Sequence, residues 1–193
     1  MFKKFSLFLF LILMLTSCSN NNQIKINSIV CFGDSLTYGF GSTNEQSYPY
    51  FLQQYTELPV INKGINGNTS KNGLDRVDDI LQFKNSIVIV EFGANDFLQQ
   101  IPISETKKNM EQLVNKLKQN NNIVVLVSTQ DTQLYQLYNM LKTLAKEKNV
   151  LFIDGILNEF WDNKNLFSDF IHPNSNGYKL VAEKIYKNIK YLL

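Results

Sequence analysis

From residue 25 onward the chain alternates between two kinds of segment, and this alternation limits its possible folds more than any other feature. Ile26 to Phe32, ending at Gly33, is a short, β-branched apolar run, and Val60-Ile61-Asn62 is a weaker one. Ser86 to Phe92 and Ile123 to Val127 are strong apolar runs, and Val150-Leu151-Phe152-Ile153 is the fifth. Continuous apolar character predicts strands buried on both faces, as in a parallel sheet. Between them, Met110, Leu113, Val114 and Leu117 recur at helical spacing within Ser104 to Gln119, with Lys and Glu on the opposite face. Leu134 to Lys148 predicts a further helix, and Tyr178, Val181, Ala182, Ile185 and Ile189 form one stripe of a C-terminal helix. Thr69 or Ser70 is placed to cap a helix running to Leu81. Strands that each lead into an amphipathic helix imply an α/β fold, a three-layer α/β/α sandwich with a parallel sheet of about five strands.

A length of 193 residues suits a single core. The apolar fraction of 44% and charged fraction of 19% are those of a globular chain rather than a disordered one. The first residues stand apart. Lys3 and Lys4 precede an apolar run from Leu7 to Leu15, followed by small polar residues, which is the pattern of a secretion signal. That run is shorter than the roughly 20 apolar residues a bilayer core requires, so cleavage is favoured over a permanent span. Leu15-Thr16-Ser17-Cys18 resembles the bacterial lipobox, in which the Cys is diacylated and becomes the new N-terminus. The expected organisation is a signal peptide over 1–17, lipidated Cys18 with a polar tether over 18–25, and one domain over 26–193. Two or more acyl chains hold a domain stably at a membrane, each buried methylene contributing about 0.8 kcal/mol. Ser19 after the Cys points, by the usual sorting pattern, to an outer membrane facing the periplasm, where the cell has one. Cys31 lies in an apolar run and is expected to be buried, leaving no disulfide to be made. Removing Lys3 and Lys4 takes the 19 basic residues to 17, against 17 acidic ones. Near-neutral charge speaks against nucleic acid or an electrostatically held membrane surface as partner.

Ligands in parallel α/β sheets bind beyond the carboxyl ends of the strands. The loop after the first run reads Gly33-Asp34-Ser35-Leu36, where a serine hydroxyl can project from the sheet edge. Alone this string is an ordinary polar turn. Its company is Asp169-Phe170-Ile171-His172-Pro173, which holds the only histidine of the chain. A serine needs a base near neutral pH to become a nucleophile, and an Asp three residues before the His can fix its tautomer so that Nε2 faces the serine. Two further strand ends carry candidate oxyanion donors: Gly64-Ile65-Asn66-Gly67-Asn68-Thr69-Ser70 and Gly93-Ala94-Asn95-Asp96. Asp34 and Asp96 are expected to be structural hydrogen-bonders. Phe97, Leu98 and Tyr38 are candidates for the apolar wall of an open cleft, with core packing as the alternative.

In this order the four motifs resemble the SGNH (GDSL) hydrolase superfamily, spanning residues 33 to 173. The resemblance implies a flavodoxin-like fold, no cofactor, Ser35 as nucleophile, and Asp169 and His172 as its partners. It also implies an oxyanion hole formed by the Ser35 amide, a glycine amide and the Asn95 side chain. The segment Val60 to Ser70 is most similar to the bacterial periplasmic thioesterase/arylesterase/lysophospholipase branch, whose donor glycine corresponds to Gly67, with Gly64 the alternative. Asn68 departs from the Asp usual in that branch. The implied activity is a serine esterase or acyl hydrolase acting on small-molecule esters, thioesters or lysophospholipids. The alternatives are a carbohydrate O-acetylesterase using the same residues and an inactive envelope lipoprotein. One His and no paired Cys disfavour a metal enzyme. The chain also lacks Gly-x-Ser-x-Gly and a Gly-rich phosphate loop.

Overall fold

Five strands form one parallel sheet: β1 (Ile29–Gly33), β2 (Val60–Gly64), β3 (Ile87–Glu91), β4 (Ile123–Val127) and β5 (Leu151–Ile153), in the order β2-β1-β3-β4-β5. The structure is a computed structural model describing residues 25–42, 46–130 and 132–193. The expected signal segment, Cys18 and the tether up to residue 24 lie outside the described residues. After β1 the chain pairs β2 on one side, then crosses back to place β3 on the other. That reversal opens a crevice at the carboxyl end of β1, where such sheets bind ligands. The register is level across it, with Gly33 opposite both Gly64 and Glu91.

Every residue of β1 and β3 is buried, as their continuous apolar character requires. Side chains alternate between two cores because successive strand residues point to opposite faces. Ile29, Cys31, Ile87, Ile89, Val125 and Val127 join Tyr48 and Leu52 of α2 (Tyr48–Gln53) and the stripe Tyr178, Val181, Ala182, Ile185 and Ile189 of α8 (Ser175–Ile189). Val30, Phe32, Val88, Val90, Val124 and Leu126 join α4 (Asp78–Leu81), α6 (Ile103–Gln119) and α7 (Tyr135–Lys148). The result is the expected three-layer α/β/α sandwich, and Cys31 is a free, fully buried thiol. Among the described residues, no helix is long and apolar enough to cross a membrane.

The helix expected from Thr69 or Ser70 to Leu81 is two helices, α3 (Ser70–Asp75) and α4, interrupted at Arg76 and Val77. Thr69 is the cap, its Oγ1 accepting from the Asn72 amide while Asn72 Oδ1 accepts from the Thr69 amide. The interruption has a tertiary cause, because Arg76 turns toward the sheet and donates to the carbonyls of Gly33 and Lys63. Two short helices beside the crevice, α1 (Ser35–Tyr38) and α5 (Ala94–Leu98), are less than two turns long and carry no readable periodicity.

Ile89 sits at the middle of β3, between β1 and β4, with no exposed surface. Ile89→Ala is expected to cost about 2–5 kcal/mol through lost burial and the cavity left behind. Urea unfolding should show a lower midpoint at an unchanged slope.

Candidate active site

β1 ends in glycine because nothing larger fits. A Cβ at Gly33 would lie 2.1 Å from Thr37 Oγ1 and 2.7 Å from the Glu91 carbonyl oxygen. The chain then turns at once into α1, whose first residue is Ser35. Asp34 caps this turn, Oδ1 accepting from the Leu36 amide at 3.1 Å. Ser35 Oγ lies 3.0 Å from His172 Nε2, although the two residues are 137 positions apart in sequence. His172 Nδ1 is in turn 2.7 Å from Asp169 Oδ2. Asp169 Oδ1 accepts from the amides of Ile171 at 2.9 Å and His172 at 2.8 Å. Burial acts to raise the Asp169 carboxyl, but these two amides and the imidazole outweigh it and hold it below the usual carboxylate range. With Nδ1–H donated to a carboxylate, Nε2 is left to accept from the serine hydroxyl.

The histidine loop is fixed from both sides. Phe167 bridges to Pro173, and the Ser168 amide and hydroxyl both donate to the His172 carbonyl, at 2.9 and 3.1 Å. Asn174 then caps α8, its Oδ1 accepting from the amides of Asn176 and Gly177. Phe40 packs on the imidazole with ring centroids 4.6 Å apart, and Tyr178 on α8 fixes Phe40 by donating to its carbonyl at 2.6 Å.

The loops after β2 and β3 complete the crevice. Asn95 Nδ2 donates to Asp34 Oδ2 at 2.9 Å and to the Asn68 carbonyl at 3.1 Å, so both hydrogens of this amide are engaged. Asn68, the departure from the related branch, accepts through Oδ1 from Arg76 Nε at 2.8 Å. Arg76 also donates to the Gly33 and Lys63 carbonyls, both at 2.9 Å, and its guanidinium lies over the Phe32 ring at 4.4 Å. One side chain thus ties the end of β1 to the loop after β2. Partial burial lowers its pKa to about 10, which leaves it charged at neutral pH.

The two candidate glycines differ sharply. Gly64 is held in β2, its amide donates to Asn62 Oδ1, and a Cβ there would lie 2.1 Å from the Tyr38 amide nitrogen. Gly67 has a positive φ of 75°, open space around it and a place in the pocket lining. Asp96 is buried, accepting from the Ser70 amide and from the hydroxyls of Ser70 and Thr106.

Ser35 and His172 open on a pocket of about 360 Å³, within the range of small-molecule sites. Its surface is mostly apolar. Phe97 and Leu98 line it as expected, while Tyr38 does not. The sequence reading missed Phe40, Leu134, Leu157, Trp161 and Ile171, together with the polar Thr129, Gln130 and Gln133. Among the described residues no cluster of three or more His, Cys, Asp or Glu side chains is placed to hold a metal ion.

A serine, an imidazole and a carboxylate in series above an apolar pocket are the arrangement of a hydrolase of the acyl-transfer class. Comparison with known proteins agrees. Residues 31–180 match the GDSL-like lipase/acylhydrolase family, and the chain belongs to it. An arylesterase of Vibrio mimicus is 26% identical over 89% of this chain and 92% of its own length. The thioesterase 1/protease 1/lysophospholipase L1 of Escherichia coli K12 is 26% identical over 96% and 92% of the two chains. In fold, the crystal structure of TesA superposes with a TM-score of 0.80 at 21% identity, covering 86% of this chain and 99% of that one. The esterase EstA from a Pseudoalteromonas species, in a structure inhibited by monoethylphosphonate, superposes at 0.78 with 24% identity, covering 86% and 97%. This chain is accordingly an enzyme, a GDSL-type carboxylic ester hydrolase.

Arg76→Lys is expected to retain the charge but lose the three-pronged geometry, leaving at least one half-buried carbonyl without its donor. A loss of about 1–3 kcal/mol in thermal or urea unfolding is expected.

Proposed function

We propose that the protein hydrolyses carboxylic esters with medium-length apolar acyl chains through a covalent acyl-enzyme on Ser35. The observation that carries this reading is the Ser35–His172–Asp169 hydrogen-bond chain opening directly on the apolar pocket. His172 takes the Ser35 proton as Oγ attacks the ester carbonyl, and Asp169 stabilises the imidazolium that forms. His172 then protonates the leaving alcohol or thiol, and a water activated by the same residue releases the acid.

The oxyanion is held by the amides of Ser35 and Gly67 and by Asn95. Because both Asn95 hydrogens are already donated, the oxyanion takes over the one now given to the neutral Asn68 carbonyl, while the bond to Asp34 keeps the side chain aimed. Gly67 is preferred to Gly64, whose amide is engaged and whose position is set by strand packing.

The size and apolar lining of the pocket favour an acyl hydrolase over a carbohydrate O-acetylesterase, since an acetyl group would leave most of it unfilled. The domain is proposed to work outside the cytoplasm, tethered through lipid on Cys18, as the Leu15-Thr16-Ser17-Cys18 run supports.

With p-nitrophenyl esters, kcat/KM is expected to rise from acetate by up to about fourfold per added methylene until the pocket is filled, as about 0.8 kcal/mol per buried CH₂ implies. A profile that instead falls beyond acetate would favour the O-acetylesterase. Ser35→Ala and His172→Ala should lose nearly all activity and Ser35→Ala all fluorophosphonate labelling, while Asn95→Ala should lose about a hundred- to a thousandfold in kcat. Parental rates in the Ser35 or His172 variant would sink the assignment. Radiolabelled palmitate should enter the full chain but not Cys18→Ala.

A further inference from the structure

Beneath the serine turn two carboxyl groups are buried together. Asp34 and Glu91 are each 1% exposed, and the register of β1 with β3 places Glu91 opposite Gly33, the neighbour of Asp34. Each receives two donors, but Asp34 takes one on each oxygen and Glu91 takes both on one. Asp34 receives the Leu36 amide on Oδ1 at 3.1 Å and the Asn95 amide on Oδ2 at 2.9 Å. Glu91 Oε2 receives the Thr37 hydroxyl at 3.1 Å and the Asp34 amide at 3.4 Å. Glu91 Oε1 is buried and receives nothing.

Two adjacent carboxylates in a dry interior do not both ionise, so one carries a proton. An oxygen without a donor is the place for it, because there it becomes a donor itself. We propose that Glu91 is held as a neutral acid and donates its Oε1 proton to the Asp34 carboxylate, making Glu91 a positioning residue for Ser35 and Asn95. The proposal rests on the reading of those two residues given above.

The surroundings agree with this division. Burial and then the charge of Asp34 push Glu91 far above the usual carboxylate range. Burial leaves Asp34 above its usual value too, but there the Glu91 hydrogen bond, the Leu36 amide, Asn95 and His172 all act against the rise. The other titratable groups facing the pair are Tyr48 from α2, Tyr178 from α8 and His172, with Arg76 near the Gly33 carbonyl. Burial pushes both tyrosines up, so neither adds a charge. A proton on Glu91 leaves the pair with one negative charge, and that charge is committed to three donors: the start of α1, the Asn95 amide and Glu91 itself. Asp34 then has one orientation, and so do the two groups it holds.

Above pH of about 4.5 the unfolded chain ionises Glu91 while the folded chain keeps the proton. Stability therefore falls as pH rises, the folding constant losing up to about tenfold per pH unit from this one group until Glu91 ionises in the fold.

The test compares the intact enzyme with Glu91→Gln and Glu91→Ala. Glutamine reproduces the neutral acid, with Nε2–H in place of Oε1–H and an oxygen still able to accept from Thr37. Glu91→Gln should keep kcat within about threefold of the parent, while Glu91→Ala should lose about ten- to a hundredfold in kcat with little change in KM, as one misaimed oxyanion donor implies. The isotope-edited infrared spectrum of the parent at pH 7 should contain a protonated glutamate carbonyl band that is missing from Glu91→Gln. Urea unfolding at pH 6, 7 and 8 should show the parent losing stability more steeply than Glu91→Gln by the equivalent of one proton. The proposal is overturned by a missing infrared band, by equal pH slopes, or by glutamine damaging kcat as severely as alanine. If Glu91→Ala does not fold, the glutamine variant and the two physical readouts decide alone. Should the parent fail to label at Ser35, the functional reading falls, while the infrared and unfolding results still report where the proton sits.

Discussion

The pairing of β1 with β3 is the contact on which the other features of the site depend. It is parallel and fully buried, and it runs in register to its last residue, with Gly33 beside Glu91. Because β2 lies on the opposite side of β1 in the same register, three strand ends stop at one level. The loops that leave them carry Ser35, Gly67 and Asn95, so the crevice is filled by groups from residues far apart in sequence. A slip of one residue between β1 and β3 would turn every side chain to the other face and separate Glu91 from Asp34. The two cores on either side of the sheet are what make that slip costly.

Most of the sheet was legible because burial on both faces writes continuous Val and Ile runs, and the helices α6, α7 and α8 because one apolar stripe recurs over several turns. Ser35, Asp169 and His172 were legible for a different reason. A polar loop at a strand end has no packing duty that calls for a serine, an aspartate and the only histidine of the chain. The pocket wall was largely illegible. Phe40, Leu134, Leu157 and Trp161 are apolar residues in irregular segments, and nothing in their spacing separates a pocket lining from a core. The interruption at Arg76 was hidden too, since the groups that draw it inward are the carbonyls of Gly33 and Lys63, supplied by tertiary structure. Glu91 did leave a signal. A carboxyl between Val90 and Phe92, inside a run destined for complete burial, breaks the local pattern, and such breaks concentrate at functional sites.

The serine and histidine sides of the site are held by different kinds of interaction. Ser35 and Asn95 are fixed from below by buried groups: Asp34 with Glu91, and Arg76 reaching Asn68. His172 and Asp169 are fixed by bonds within a few residues, the amides of Ile171 and His172 on one carboxylate oxygen and the imidazole on the other. The first arrangement exists only once the sheet is assembled. The second is nearly self-contained: the Phe167–Pro173 bridge closes the loop on itself, and the Asn174 cap joins it to α8, which packs against the sheet.

This division fits the roles proposed for the two sides in acyl transfer. Oxyanion donors act by being already aimed when charge develops, so they gain from a rigid and water-free support. A base must take a proton from one oxygen and give it to another, which calls for a fixed tautomer but tolerates a more exposed position. Asp169 meets that requirement with its side chain 39% exposed, because its three donors come from its own loop and do not depend on burial. Phe170 between the two residues is 90% exposed, and the loop meets the core at its start, where Phe167 packs on the α8 side of the sheet. The two sides meet at the 3.0 Å Ser35–His172 bond, in the packing of Phe40 on the imidazole and where Gly41 lies close against Ser168 and Pro173. Phe40 is itself held by Tyr178, so α8 supports His172 from two directions, through the cap before it and the tyrosine within it.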